Sequence, residues 1–157
     1  MRKRSIPKRE IRDLNSKFSF FQLDVKATIE IVEDTRGTII LQEGEPVLLL
    51  HQDSWFPTLQ SLNKNNPLKK ITVDMGAIPY VCAGADVMRP GIKNIEEGIA
   101  KDSPVCIIDE KYGKLLAVGV SLFDSEEMKK MEKGKVIKNL HYAGDWIWNF
   151  NKQPSSA

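Results

Sequence analysis

Cysteine and histidine are scarce in this 157-residue sequence, which holds two of each. Cys82 and Cys106 have 23 residues between them and no CxxC occurs, which excludes a zinc ribbon and a thioredoxin-like site. Both thiols are expected to be buried, unpaired core residues of a reduced, cytoplasmic chain. The two histidines, His51 and His141, each end an apolar strand, and both read as strand-end residues bonded to backbone. No apolar run approaches the roughly 18–20 residues needed to span a bilayer, so no membrane partner is expected. The basic first ten residues are not followed by an apolar stretch, so no secretory signal is expected either. GxSxG, HExxH, P-loop and GxGxxG motifs are all missing. Asp74, Asp86, Asp109 and Asp145 sit in turns and caps at spacings that give no sign of pairing. No catalytic residue, metal ligand or cofactor is therefore assigned, and the chain is expected not to be an enzyme.

What is present is uneven charge. The net charge is +2, yet residues 1–17 alone carry +5: Arg2, Lys3, Arg4, Lys8, Arg9, Arg12 and Lys17 against Glu10 and Asp13. A basic end on a nearly neutral body points to an anionic partner. A solvated, frayed terminus is the alternative.

The pattern along the chain predicts an α+β protein of two small domains. Ser5-Ile6-Pro7 reads as a helix start, with Ile11, Leu14 and Phe18 at helical spacing and the charges on the other face. KATIEIVE (26–33), TIILQ (38–42) and VLLLH (47–51) form a meander, with the last strand expected at its centre. Asp53 to Pro57 leads into a short helix carrying Leu59 and Leu62. Asn65-Asn66-Pro67 marks a boundary near residue 70. In the second half, KITV is a strand and Asp74 caps a short helix over about 75–82 that Gly84 ends. Ile95 and Ile99 suggest another helical turn. VCIID and KLLAVGVSL form a hairpin, Asp124 caps a helix that Gly134 stops, and KVIKNLHY is the last long strand. Many short strands with short turns suggest a small open barrel.

One stretch is peculiar. MGAIPYVCAGADVMRPGI (75–92) is apolar but broken by three glycines and two prolines. That is too many glycines for a buried strand and too many prolines for a long helix. A short helix ending in a glycine turn exposes backbone groups to a splayed, single-stranded nucleotide. Arg89, beside Pro90-Gly91, and Lys93 offer phosphate or stacking contacts. Glycines that serve only barrel geometry are the competing account.

These residues resemble the opening of a PUA domain, the RNA-binding module named for pseudouridine synthases and archaeosine transglycosylases. The similarity runs on through SPVCIIDEKYGKLLAVGVSLFDSEEM to GKVIKNLHYAGDWIW. LLLHQDSWFPTLQSL, just before it, looks like the pre-PUA domain of the malignant T-cell-amplified sequence family and its archaeal relatives. The resemblance implies a pre-PUA α+β meander domain over residues 1–70 and a PUA pseudobarrel over 71–157, with its core about 72–150. It implies an RNA groove lined by Gly76, Ala77, Tyr80, Gly84, Ala85, Asp86, Met88, Arg89 and Gly91, with His141 and Tyr142 at the opposite edge. Pro79 stands where relatives often carry a basic residue. No initiation-factor-like domain is expected to accompany the two. The function it implies is non-catalytic RNA binding in translation, on the small ribosomal subunit beside a translation-factor partner or on tRNA. The partner RNA would be a single-stranded end or loop of tRNA or rRNA. The alternative is an accessory specificity subunit for a separate tRNA or rRNA modification enzyme.

Overall fold

The computed structural model describes residues 1–152; residues 153–157 lie outside the described residues. The chain divides into two compact units. One runs from Met1 to Asn66 and is rejoined by the segment from Asn149 on; the other runs from Pro67 to Trp148.

The first unit is an antiparallel sheet in sequence order: β1 (Arg2–Ser5), β2 (Ile29–Asp34), β3 (Gly37–Gln42), β4 (Glu45–His51) and β5 (Ser54–Pro57). Local chemistry makes its turns. At DTRG the Asp34 carboxylate accepts from the Arg36 backbone amide at 3.0 Å and from its Nε at 2.8 Å. The Arg36 side chain, followed by that amide, holds the Asp34 carboxyl well below the usual carboxylate range. Glu43-Gly44 and Gln52-Asp53 all take positive φ, between 47° and 80°, the conformation that two-residue hairpins require. Helix α1 (Lys8–Asn15) lays Ile11 and Leu14 against Ile29, Ile40 and Leu48. Burying each such side chain contributes roughly 1.5–3 kcal/mol. Thr58, wholly buried, caps α2 (Leu59–Lys64): its Oγ1 accepts from the Ser61 amide at 3.1 Å and donates to the Pro46 carbonyl at 2.8 Å.

The second unit holds β6 (Lys69–Val73), α3 (Ile78–Val81), β7 (Val87–Met88), β8 (Ile92–Ile95), β9 (Pro104–Asp109), β10 (Leu115–Ser121), α4 (Ser125–Lys130) and β11 (Lys135–Tyr142). The strand order is β7-β11-β10-β9-β6-β8, with β6 and β9 parallel and every other pair antiparallel. The two edge strands, β7 and β8, are consecutive in sequence and separated by one 3-10 turn, Arg89–Gly91. The sheet therefore curls back on itself as an open pseudobarrel around Ile71, Val105, Ile107, Ala117, Val136 and Ile137. Among the described residues no helix is long and apolar enough to cross a membrane.

Several elements differ from the sequence expectation. Residues 2–5 are a strand, and Pro7 is the residue before α1, so Arg2, Lys3 and Arg4 stand on an edge strand while Lys8, Arg9 and Arg12 stand on the helix. Every β1 residue is exposed, so no apolar alternation announces it; pairing with β2, from Arg2 opposite Glu33 to Ser5 opposite Glu30, creates it. VLLLH belongs to β4, the fourth of five strands, and β3 is central. Ser54–Pro57 is a strand because the Gln52-Asp53 turn folds it back on β4. Ile95 ends β8 instead of starting a helical turn. Helix α4 ends at Lys130, before Gly134. Neither cysteine forms a disulfide; Cys106 is buried but Cys82 is only half-buried.

Gly119 lets β10 lie close against β11. A Cβ built there would lie 2.6 Å from Ile137 Cγ2 and 2.7 Å from the Lys138 carbonyl oxygen. The carbonyl is main chain and cannot swing aside. Gly119→Ala is expected to destabilise the protein by about 1–3 kcal/mol in urea denaturation. A variant as stable as the parent would show that β10 and β11 are not packed this tightly.

Candidate nucleic-acid interface

The stretch from Asp74 to Ile92 folds as a chain of short, individually capped pieces. Asp74 Oδ1 accepts from the Ala77 amide at 2.9 Å and starts a 3-10 turn, Met75–Ala77, that runs into α3. Pro79 sits in the first turn of α3, where its missing N–H costs nothing. The helix ends in a turn closed by the Gly84 amide on the Val81 carbonyl (3.0 Å) and the Ala85 amide on the Tyr80 carbonyl (2.9 Å). Gly84 has φ +95°, and a Cβ there would come within 3.0 Å of the Tyr142 ring. The backbone conformation therefore favours glycine, and a side chain there would have to push the Tyr142 ring aside.

Asn139 on β11 fastens this turn. Its Nδ2 donates to the carbonyls of Val81 and Ala85, both at 3.0 Å, and its backbone amide donates to Asp86 Oδ1 at 2.9 Å. Burial would push the Asp86 carboxyl up. The Asn139 amide and then Lys135 and Lys138 outweigh that and hold it below its ordinary value. Lys135 and Lys138 reach Asp86 Oδ2 at 3.1 and 3.9 Å.

Between α3 and the segment after it lies a cavity of about 330 Å³. Gly76, Ala77, Tyr80, Ala85, Asp86, Met88 and Gly91, all expected groove residues, line it together. Tyr80 is 70% exposed and Met88 50%, so two large exposed side chains stand at the cavity. At Gly76 and Gly91 an added Cβ would meet only ordinary contacts, at 3.4 and 3.6 Å, so neither glycine is demanded by protein packing.

Other expected residues lie elsewhere. Arg89 and Lys93 line a separate cavity of about 470 Å³ with Glu96, Glu97 and Lys129. There Arg89 Nε donates to the Met128 carbonyl at 2.8 Å and Nη1 to the Ile92 carbonyl at 3.3 Å, so it ties α4 to β8. His141 is fully buried, and its Nδ1 is 2.8 Å from Asp145 Oδ2. Asp145 also accepts from the amides of Tyr142 (3.0 Å) and Trp148 (2.8 Å). Burial pushes the Asp145 carboxyl up, but the His141 hydrogen bond and charge and the two amides carry it below its ordinary value. Tyr142 packs on Gly84 rather than forming a far edge.

The sequence reading missed Lys135 and Lys138. In a regular strand these positions face opposite sides. Here the β11–β7 ladder shifts register between Lys135 and Ile137, and both ammonium groups converge on one Asp86 oxygen. No sequence signal marks that irregularity. At the other unit, Lys3 meets Glu30 at 3.9 Å and Arg4 meets Glu10 at 3.1 Å. No ion pair among the described residues engages Arg2, Lys8, Arg9 or Arg12. Nor do the described residues gather three or more His, Cys, Asp or Glu that could hold a metal ion.

The depressed carboxyls have a consequence in acid. A group whose pKa is lowered by folding stabilises the protein above its unfolded pKa, about 3.9, and loses that contribution as pH falls below it. Asp86→Asn and Asp145→Asn are each expected to lower stability at pH 7. Each should also flatten the fall in stability below about pH 4. Urea denaturation across pH 2.5–7 measures this, and curves parallel to the parent's would contradict it.

A model of the PUA domain matches residues 69–143, and one of a Domain of unknown function (DUF1947) matches residues 3–65. An uncharacterized protein of Methanocaldococcus jannaschii is 39% identical over 152 residues, covering 92% of this chain and 94% of its own. Translation machinery-associated protein 20 of Eremothecium gossypii is 30% identical over 137 residues, with coverages of 82% and 76%. Malignant T-cell-amplified sequence 1-B of Xenopus laevis is 33% identical over 130 residues, with coverages of 79% and 72%. Among solved structures, a hypothetical protein of Pyrococcus horikoshii OT3 superposes with a TM-score of 0.80 at 32% identity, covering 95% of this chain and 99% of that one. A chain of the archaeal box H/ACA sRNP Nop10-Cbf5 complex superposes with a TM-score of 0.50 at 26% identity, covering 61% of this chain and 30% of that one.

Proposed function

The chain belongs to the family of Translation machinery-associated protein 20 and the Malignant T-cell-amplified sequence proteins, and from that premise we propose that it is a non-catalytic RNA-binding protein of the cytoplasm. It acts in translation, on the small ribosomal subunit or on tRNA, and works beside a translation-factor partner. The carrying observation is the 330 Å³ cavity rimmed by the exposed Tyr80 and Met88. An exposed tyrosine beside an apolar hollow suits an unpaired base, because every base offers a ring face to stack on. Lys135 and Lys138, two residues that also hold Asp86, stand close enough to meet the phosphates of that nucleotide.

The basic end supplies charge. Arg2, Lys8, Arg9 and Arg12 carry it most freely, since Lys3 and Arg4 are already opposed by carboxylates. A second reading, an accessory subunit that presents RNA to a separate tRNA or rRNA modification enzyme, draws on the likeness to a chain of a box H/ACA ribonucleoprotein. Co-sedimentation with small ribosomal subunits supports the first reading, and co-purification with a modification enzyme supports the second.

Tyr80→Ala tests the groove. Because the ring is exposed, the variant should melt like the parent, while affinity for a single-stranded RNA end falls about tenfold. Unchanged affinity would remove the groove from the reading. Neutralising Arg2, Lys8, Arg9 and Arg12 tests the charge: the dependence of log affinity on log salt should become shallower by about 0.7 for each phosphate that the variant no longer neutralises. Equal slopes would mean that the basic end does not touch RNA.

A further inference from the structure

The first unit has a cavity of its own, about 380 Å³, that the RNA groove of the second unit does not use. Its volume falls within the roughly 300–1,000 Å³ of small-ligand sites. Three parts of the unit enclose it: the loop after α1, the end of β3 with the start of β4, and α2. Phe20 and Phe21 enter from the loop, both half-buried. Phe18 stacks on Phe20 with ring centroids 5.3 Å apart, which fixes that ring before any ligand arrives.

The polar groups are arranged asymmetrically. Gln42 Oε1 is occupied by the Asp24 amide at 2.9 Å, so this side chain is held and its Nε2 remains as a donor. The Asn65 side-chain amide, at the end of α2, lines the same cavity and carries no hydrogen bond among the described residues. Among the described residues only two charged ones border the cavity, Glu45 and Lys64, and they neutralise each other at 2.8 Å. A wall without net charge does not select a phosphate or a carboxylate. Aromatic rings beside amides that donate and accept select a flat, neutral ligand with both kinds of group on its edge.

We propose that this cavity binds a nucleobase, its ring against Phe20 and Phe21, with Gln42 Nε2 donating to it and the Asn65 amide pairing with its edge. The site shares no lining residue with the groove of the second unit and does not rest on it. The base can come from a free nucleotide or from an unpaired position in an RNA strand.

The experiment is an NMR titration of the full chain with the 5′-monophosphates of adenosine, cytidine, guanosine and uridine, and then with short single-stranded RNA homopolymers. Saturable shifts of the Gln42 and Asn65 side-chain amides with at least one probe are expected. Tighter binding of the homopolymer than of its mononucleotide identifies RNA as the source, and equal binding identifies a free nucleotide. Gln42→Glu keeps the acceptor for the Asp24 amide but replaces the donor, and should weaken binding about tenfold. Asn65→Ala removes a side chain that no hydrogen bond of the fold uses, and should weaken binding while leaving the melting temperature unchanged. Phe20→Leu keeps the apolar contact and loses the stacking face, with a similar loss expected. Absence of shifts at Gln42 and Asn65 with every probe overturns the proposal, as does parent-like affinity in both Asn65→Ala and Phe20→Leu. Shifts confined to Tyr80 and Met88 overturn it while leaving the groove of the second unit standing.

Discussion

The wall of the groove in the second unit is fastened by one side chain, Asn139. One amide group holds two carbonyls of the turn that ends α3, and the backbone beside it holds Asp86. Those bonds fix where the helix stops, where Asp86 points and how the wall of the cavity runs. They fall between residues more than fifty apart in sequence, so the barrel must be largely closed before the groove exists. The fastening has a cost: Asn139 Oδ1 is buried with no hydrogen-bond partner among the described residues. An unsatisfied buried acceptor costs on the order of 1–3 kcal/mol, set against three bonds made by the same residue.

From that point the charges arrange themselves. Asp86 is an anion at the rim of a mostly apolar hollow, and such a group would repel RNA if left alone. Lys135 and Lys138 answer it with two positive charges, which balance Asp86 and Asp74, the two carboxylates that line the hollow. Arg89 is spent elsewhere, closing α4 onto β8 beside the turn that links the two sheet edges. The guanidinium that stands out in the sequence is thus a structural tie, while two ordinary lysines hold Asp86, which lines the groove.

The edges of the first sheet follow a different constraint. β1 is an edge strand, and unpaired backbone groups along an edge invite another strand. Its three basic side chains make such pairing unfavourable, and β5, at the other edge, ends in Pro57. The cations of β1 therefore have a structural use that holds whether or not RNA reaches them. The cations of α1, by contrast, have no such use: Ile11 and Leu14 bury the helix, Asn15 binds both backbone groups of Leu23, and Lys8, Arg9 and Arg12 remain exposed.

Local chemistry determined much of this protein from the sequence alone. Asp74 and Asp124 cap helices as their positions demand, the DTRG and Glu43-Gly44 turns close as written, and KVIKNLHY is a strand. Seven of the expected groove residues of the glycine-rich stretch meet around one cavity, because a short capped helix and the turn after it carry most of its wall. Tertiary structure decided the rest. β1 exists only through its pairing with β2, and a four-residue exposed strand leaves no periodicity to read. Gly84 is fixed by a ring that arrives from the far end of the unit, and His141 by a carboxylate four residues beyond it in a hook that the alternation of β11 does not foretell. Lys135 and Lys138 share a face because one ladder slips. Spacing along a chain reports which groups a regular element would align; a register shift, a buried partner or a distant ring changes that alignment only once the sheet has formed.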